Sequence, residues 1–213
     1  MATLRELPYI PLEVGENFID QLSGHVDSLR SCALVCRGWN RHARQHLMVA
    51  IRVQSREDLC SIHEYFASNP RMASLVRSLC MASPLGGEKH RCLLEVLPVY
   101  LVKRLPNLQR YSIGRWTYFT AHTGSDQVSF HATALMHIKT YLHVEELHLE
   151  ALRFRTSAEL ARVLIALPRL RRLQCRDLEA DNLTADTSRF RNKCNMLSEL
   201  TVVCTLQAIV VAR

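Results

Sequence analysis

The 213-residue chain has no apolar run long enough to cross a bilayer. Its most apolar stretch, residues 200–210, is broken by threonine and glutamine and falls far short of the ~20 residues a spanning helix needs. The first residues reach Pro8 and Pro11 without the apolar core of a signal peptide. These absences predict a soluble intracellular protein, cytoplasmic or nuclear, with no membrane contact. Cysteine is present, at positions 32, 36, 60, 80, 92, 175, 194 and 204, but without the dense regular spacing of a small disulfide scaffold. Reduced thiols are expected. Also missing are G-x-S-x-G, G-x-G-x-x-G, a P-loop and a complete H-E-x-x-H. His63-Glu64 has no second histidine, and Gly86-Gly87 is a lone pair in a loop. The expectation is a protein without a catalytic site or cofactor. Acids are absent from residues 28–56, which hold six arginines, whereas residues 1–27 hold five acids and one arginine. A basic helical face suits nucleic acid or an acidic protein. The lack of base-reading Asn or Gln at regular helical positions speaks against nucleic acid.

With 48% hydrophobic and 22% charged residues and a net charge of +7, the chain can build a sizeable core. Val14, Phe18, Ile19 and Leu22 recur at spacings of three and four, predicting a helix that opens at Pro11 and stops at Ser23-Gly24. Glu13 lies in its first turn, where a carboxylate favours the helix dipole. Gly15 inside that helix costs roughly 1 kcal/mol relative to Ala. A second helix is expected from a cap at Asp27 or Ser28 through Leu29, Cys32, Ala33 and Cys36. Gly38 suggests a bend before a third, over 39–47, with Arg41, His42, Arg44 and His46 on its polar sides.

The pattern then changes and recurs. Segments 76–81, 108–113, 144–149, 170–175 and 197–202 each place apolar residues at positions 1, 4 and 6, as in L-x-x-L-x-L. The last three recur at the ~20–29-residue period of a leucine-rich repeat, and the earlier ones are stretched. Helices are expected between them, over 55–68, 88–104, about 129–142 and 157–167. Thr156-Ser157-Ala158-Glu159 reads as a capping box, and Ser55-Arg56-Glu57-Asp58 resembles one. Strand positions 2, 3 and 5 would line an exposed concave sheet. Arg110, Glu146, His148, Arg171, Arg172 and Gln174 are the candidate partner-binding residues there. Arg169, Arg171, Arg172 and Arg176 form the most cationic patch, read as a solvated rim in preference to a phosphate site. Trp116, Tyr118 and Phe119 are read as core. The apolar ending, residues 209–212, lacks a polar capping repeat, so either another element covers this edge or the chain is a fragment, and the second is the expectation.

Cys32-x3-Cys36-x5-His42-x3-His46 holds four possible ligands, but its spacing is unlike a zinc finger. The cysteines are expected in the core and the histidines on the surface, with no metal.

Residues 7–53 resemble an F-box. Pro11 and Glu13 match the L-P-x-E start, with Ile10 in place of leucine. Leu34, Val35, Cys36, Arg37 and Trp39 match the L-V-C-R-x-W ending, while Asn17 stands where the family is often apolar. With the repeats, the chain is similar to fungal F-box domain-containing proteins that carry leucine-rich repeats. The resemblance implies an α/β protein: a three-helix F-box (7–53), then an irregular leucine-rich-repeat-like solenoid with a parallel sheet (54–213). It implies a substrate receptor of a cullin-RING ubiquitin ligase of the SCF type. Pro11, Glu13, Val14, Phe18, Leu29, Leu34, Val35 and Trp39 would dock on the Skp-type adaptor, and the repeats would hold an unknown protein substrate. The alternative is a repeat scaffold outside any ligase.

Overall fold

Apolar residues at helical spacing wind residues 11–48 into α1 (Leu12–Gln21), α2 (Val26–Ala33) and α3 (Arg37–Met48). The computed structural model describes residues 11–83, 88–101, 104–115, 126–128, 130, 132–182 and 197–203. Trp116, Tyr118, Phe119, Gly86-Gly87, Ile10 and the ending 204–213 lie outside them. The chain is mixed α/β, and it divides between Ala50 and Ile51 into two compact units.

In the first unit Pro11 caps α1, its carbonyl accepting from the amides of Val14 and Gly15 at 3.2 Å. Gly24, at φ +91°, turns the chain where an L side chain would be strained. α2 starts earlier than expected, capped by His25, with Asp27 in its first turn. Gly38 makes no bend and lies inside α3. The cap there is Cys36, whose Sγ accepts from the Trp39 amide at 3.5 Å. Ile19, Leu29, Cys32 and Ala43 form the core, with Leu22, Ala33, Trp39 and Leu47 packed around it.

Two glycines let α1 and α3 approach. A Cβ on Gly15 would lie 2.1 Å from Trp39 Nε1, and one on Gly38 would lie 2.6 Å from Leu12 Cδ1. The propensity lost at Gly15 is therefore the condition for seating the indole.

In the second unit, the strands β1 (Ala50–Val53), β2 (Ser78–Ser83), β3 (Arg110–Arg115), β5 (Glu146–Glu150), β7 (Arg172–Arg176) and β9 (Glu199–Val203) form one sheet in that order. From β2 onward every pairing is parallel. The pairing register is the alignment of the repeated segments, position for position: Ser78, Arg110, Glu146, Arg172 and Glu199 stand side by side. Positions 4 and 6 point inward, burying Leu79 and Met81, Tyr111 and Ile113, Leu147 and Leu149, Leu173 and Cys175. At β9 the same positions, Leu200 and Val202, are exposed.

The helices α4 (Arg56–Ser68), α5 (Pro70–Ala73), α6 (Glu88–Leu101), α7 (Ala132–Ile138) and α8 (Ser157–Ala166) alternate with the strands. Ser55 and Asp58 form a complete capping box at α4. At α8, Thr156 Oγ1 accepts from the Glu159 amide, while Glu159 accepts from the Arg155 amide, one residue before the cap. α7 is shorter than expected, and Pro70 opens a short helix beyond the end of the helix expected over 55–68.

A second parallel sheet, β4 (Asp126–Val128), β6 (Leu152–Thr156) and β8 (Glu179–Asn182), was not expected. Its sequence signal is the alternation of buried Leu152 and Phe154 with exposed Arg153 and Arg155. The chain passes from β5 to β6 through Ala151 at φ 52°, and it turns after β7 through Asp177 at φ 50°. Aspartate tolerates this left-handed conformation, whereas alanine pays for its Cβ. Ala151→Gly is therefore expected to stabilise the second unit by about 0.5–1 kcal/mol, the relief of strain exceeding the added freedom of the unfolded chain. Chemical denaturation followed by circular dichroism would check the sign, and a loss of stability would contradict it. Among the described residues no helix is long and apolar enough to cross a membrane.

Candidate functional site

Two surfaces carry the predicted residues, one in each unit. On the helical unit, Pro11 and Glu13 are exposed at the start of α1. Val14 and Phe18, at i and i+4, are 55% and 56% exposed, and Leu34 and Val35, between α2 and α3, are 86% and 62% exposed. Apolar side chains this open bury only part of their area in their own unit and leave the rest in water. Trp39 is half-buried, its ring stacked on Phe18 with centroids 6.4 Å apart. Leu29 departs from the expectation: at 1% exposure it is core, because its face of α2 turns toward Ile19 and Ala43. It cannot touch a partner.

On the sheet, the side-by-side register lays out alternating charge. Glu146 is buried between its neighbours on β3 and β7, accepting from Arg110 Nε and pairing with Arg172. Its other neighbour is His148, with Nε2 3.8 Å from Oε2. Burial pushes the Glu146 carboxyl up, but the Arg110 hydrogen bond and the charges of Arg110, Arg172 and His148 outweigh it and leave the group below its ordinary range. The next row places Ser112, His148, Gln174 and Thr201 side by side. Arg110, Glu146, His148, Arg172, Leu173, Gln174, Glu199 and Thr201 line a depression of about 220 Å³.

All the sheet candidates except Arg171 meet in this depression. Arg171 is exposed, one position before the charged row, and its carbonyl accepts from the Ser198 hydroxyl at 3.2 Å. The arginine patch is partly spent on acids of β5: Arg172 pairs with Glu146, and Arg176 with Glu150 at 3.1 Å. Glu199 and Thr201 were exposed positions in the sequence pattern, and the pairing of β9 with β7 brings them into the site.

The pH response of this row has a definite sign. Burial lowers the His148 pKa first, the Arg110 charge lowers it further, and Glu146 opposes both. A histidine whose folded pKa lies below its unfolded value binds more protons when unfolded, so stability falls as pH drops below about 6.5. Glu146 adds a second loss at lower pH, as it protonates through its depressed folded value. His148→Gln is expected to flatten the first of these two limbs, read as denaturation midpoints between pH 7.5 and about 5. An unchanged slope would contradict this assignment.

The four-ligand motif comes apart in the structure. Cys32 is buried in the helical core and Cys36 caps α3, and neither is joined in a disulfide, nor are Cys60, Cys80 and Cys175. His42 and His46 turn to Asp20 of α1, a residue the sequence reading did not single out. No protein-family model matches the chain, and no curated protein matches it.

Proposed function

We propose that this protein is a non-catalytic substrate receptor of a cullin-RING ubiquitin ligase, docking on a Skp-type adaptor through its helical unit and holding a protein substrate on its sheet. The observation that carries the reading is the set of open apolar side chains on the helical unit. Val14, Phe18, Leu34 and Val35 lie at motif positions of the resemblance, and each is more than half exposed. The helical unit leaves more than half of each in water, and an amphipathic partner groove would cover that area. The repeat template, whose alignment is also the pairing register, supports reading the second unit as an irregular leucine-rich-repeat solenoid. Its depression offers both charge signs and the amide of Gln174, which suits a polar peptide segment better than an apolar ligand. Such a receptor acts by raising the local concentration of a target lysine near the ligase, and needs no reacting group of its own. A cytoplasmic or nuclear location goes with this role.

The test is a pull-down of the full chain with a purified Skp-type adaptor, comparing wild type with Val35→Asp. Val35 is open, so the substitution leaves the fold intact, whereas Trp39→Ala would disturb the helical core. Saturable binding that Val35→Asp weakens at least tenfold supports the receptor. A folded wild-type chain that ignores the adaptor leaves a repeat scaffold outside any ligase.

A further inference from the structure

The polar side of the helical unit holds an arrangement unrelated to either binding surface. His42 and His46, one turn apart on α3, present both Nε2 atoms to the same carboxylate oxygen of Asp20, at 2.7 and 2.8 Å. Asp20 lies in the last turn of α1, the negative end of the helix dipole, where a carboxylate is unfavourable. Glu16, one turn earlier on the same helix, adds a second negative charge at the i,i+4 spacing that disfavours like charges. Its Oε1 stands 3.9 Å from His42 Nδ1. Two carboxylates thus converge on two imidazoles at a helix end that favours a cation.

We propose that Asp20, His42 and His46 form a binding site for a divalent transition metal, with zinc as the ion its ligands suit best. Two imidazole nitrogens and one carboxylate oxygen are a borderline donor set that selects zinc over calcium or magnesium, which prefer oxygen alone. The three ligand atoms already lie within 4.8 Å of one another. Metal bonds of about 2.0–2.1 Å in tetrahedral geometry set ligand atoms about 3.3 Å apart, so each Nε2 must draw back from Oδ1 by only about 0.5 Å. Glu16 Oε1, 3.9 Å from His42 Nδ1, is outside hydrogen-bond distance; a side-chain rotation that closes this gap on metal binding would let it accept from Nδ1 while Nε2 coordinates, the carboxylate–histidine–metal relay of many zinc sites. On binding, the ion takes the place of the protons between the imidazoles and the carboxylate. Water fills the fourth position, and the ion ties α1 to α3.

Cobalt is the probe, because its visible absorption reports coordination and its charge-transfer bands report sulfur. Titrated with cobalt, the metal-stripped full chain is expected to gain ligand-field bands that saturate at one equivalent, show no thiolate charge transfer and disappear on adding zinc. His46→Gln and Asp20→Asn are each expected to weaken binding at least tenfold, and Glu16→Gln about tenfold through His42. Circular dichroism verifies that each variant is folded. X-ray absorption on the zinc-loaded wild type gives a readout independent of any substitution: two imidazoles and no sulfur support the site. Absence of saturable binding overturns the proposal, as do thiolate ligation and affinities that the folded variants leave unchanged.

Discussion

Leu29→Ala is expected to cost about 2–5 kcal/mol, the range for truncating a fully buried leucine. Leu29 is 1% exposed and touches a core whose other fully buried side chains are small or few: Ile19, Cys32 and Ala43. A unit of this size has little apolar area to spare, so the lost transfer energy and the cavity together approach its whole stability. The second unit has its own buried core, so the loss is expected to stay within the first. Amide hydrogen exchange should therefore speed up throughout α1, α2 and α3 while β3, β5 and β7 keep their protection. Val35→Asp, at an open position, should leave both patterns unchanged. Equal protection in Leu29→Ala and wild type would refute the assignment of Leu29 to the core.

Glu146→Gln should give the largest effect in the sheet. The carboxylate is buried and holds Arg110 and Arg172 from the two neighbouring strands, with His148 at its side. Without its charge, two guanidiniums and an imidazole face a neutral amide. Removing one partner of a fully buried ion pair costs about 3–5 kcal/mol. Both guanidiniums here are about half exposed and remain hydrated, which reduces the expected cost to about 1–3 kcal/mol. The comparison is Glu150→Gln, four residues along the same strand, whose pair with Arg176 is open on both sides and should be worth less than about 1 kcal/mol. Denaturation of both variants at low and high salt separates them, and equal costs would refute the central role given to Glu146.

The sheet was legible because one rule governs it. A parallel strand that buries positions 4 and 6 repeats its apolar residues at fixed places, and aligning those places also aligns the strands. The short second sheet escaped because β4, β6 and β8 have three to five residues each, too few for an alternating pattern to stand out. In the helical unit the apolar stripe located α1, but which apolar residues face solvent was beyond a stripe. Leu29 and Val35 look alike in sequence, and only the crossing of the helices separates core from surface. Gly15 shows the same limit, since its cost is local and its reason, Trp39, lies two helices away. The i,i+4 pair His42 and His46 was visible, while its carboxylate was not, because Asp20 meets them through a turn and a helix crossing that no spacing encodes.

The row Ser78, Arg110, Glu146, Arg172 and Glu199 sets two guanidiniums against two carboxylates. Its field therefore cancels within a few ångströms, although the chain as a whole carries +7. A partner docking here as proposed would gain no long-range pull from this row and would find its orientation against it only on contact. To the extent that this row governs docking, encounters would proceed at the ordinary unsteered rate, and selectivity would rest on how long a matched partner stays.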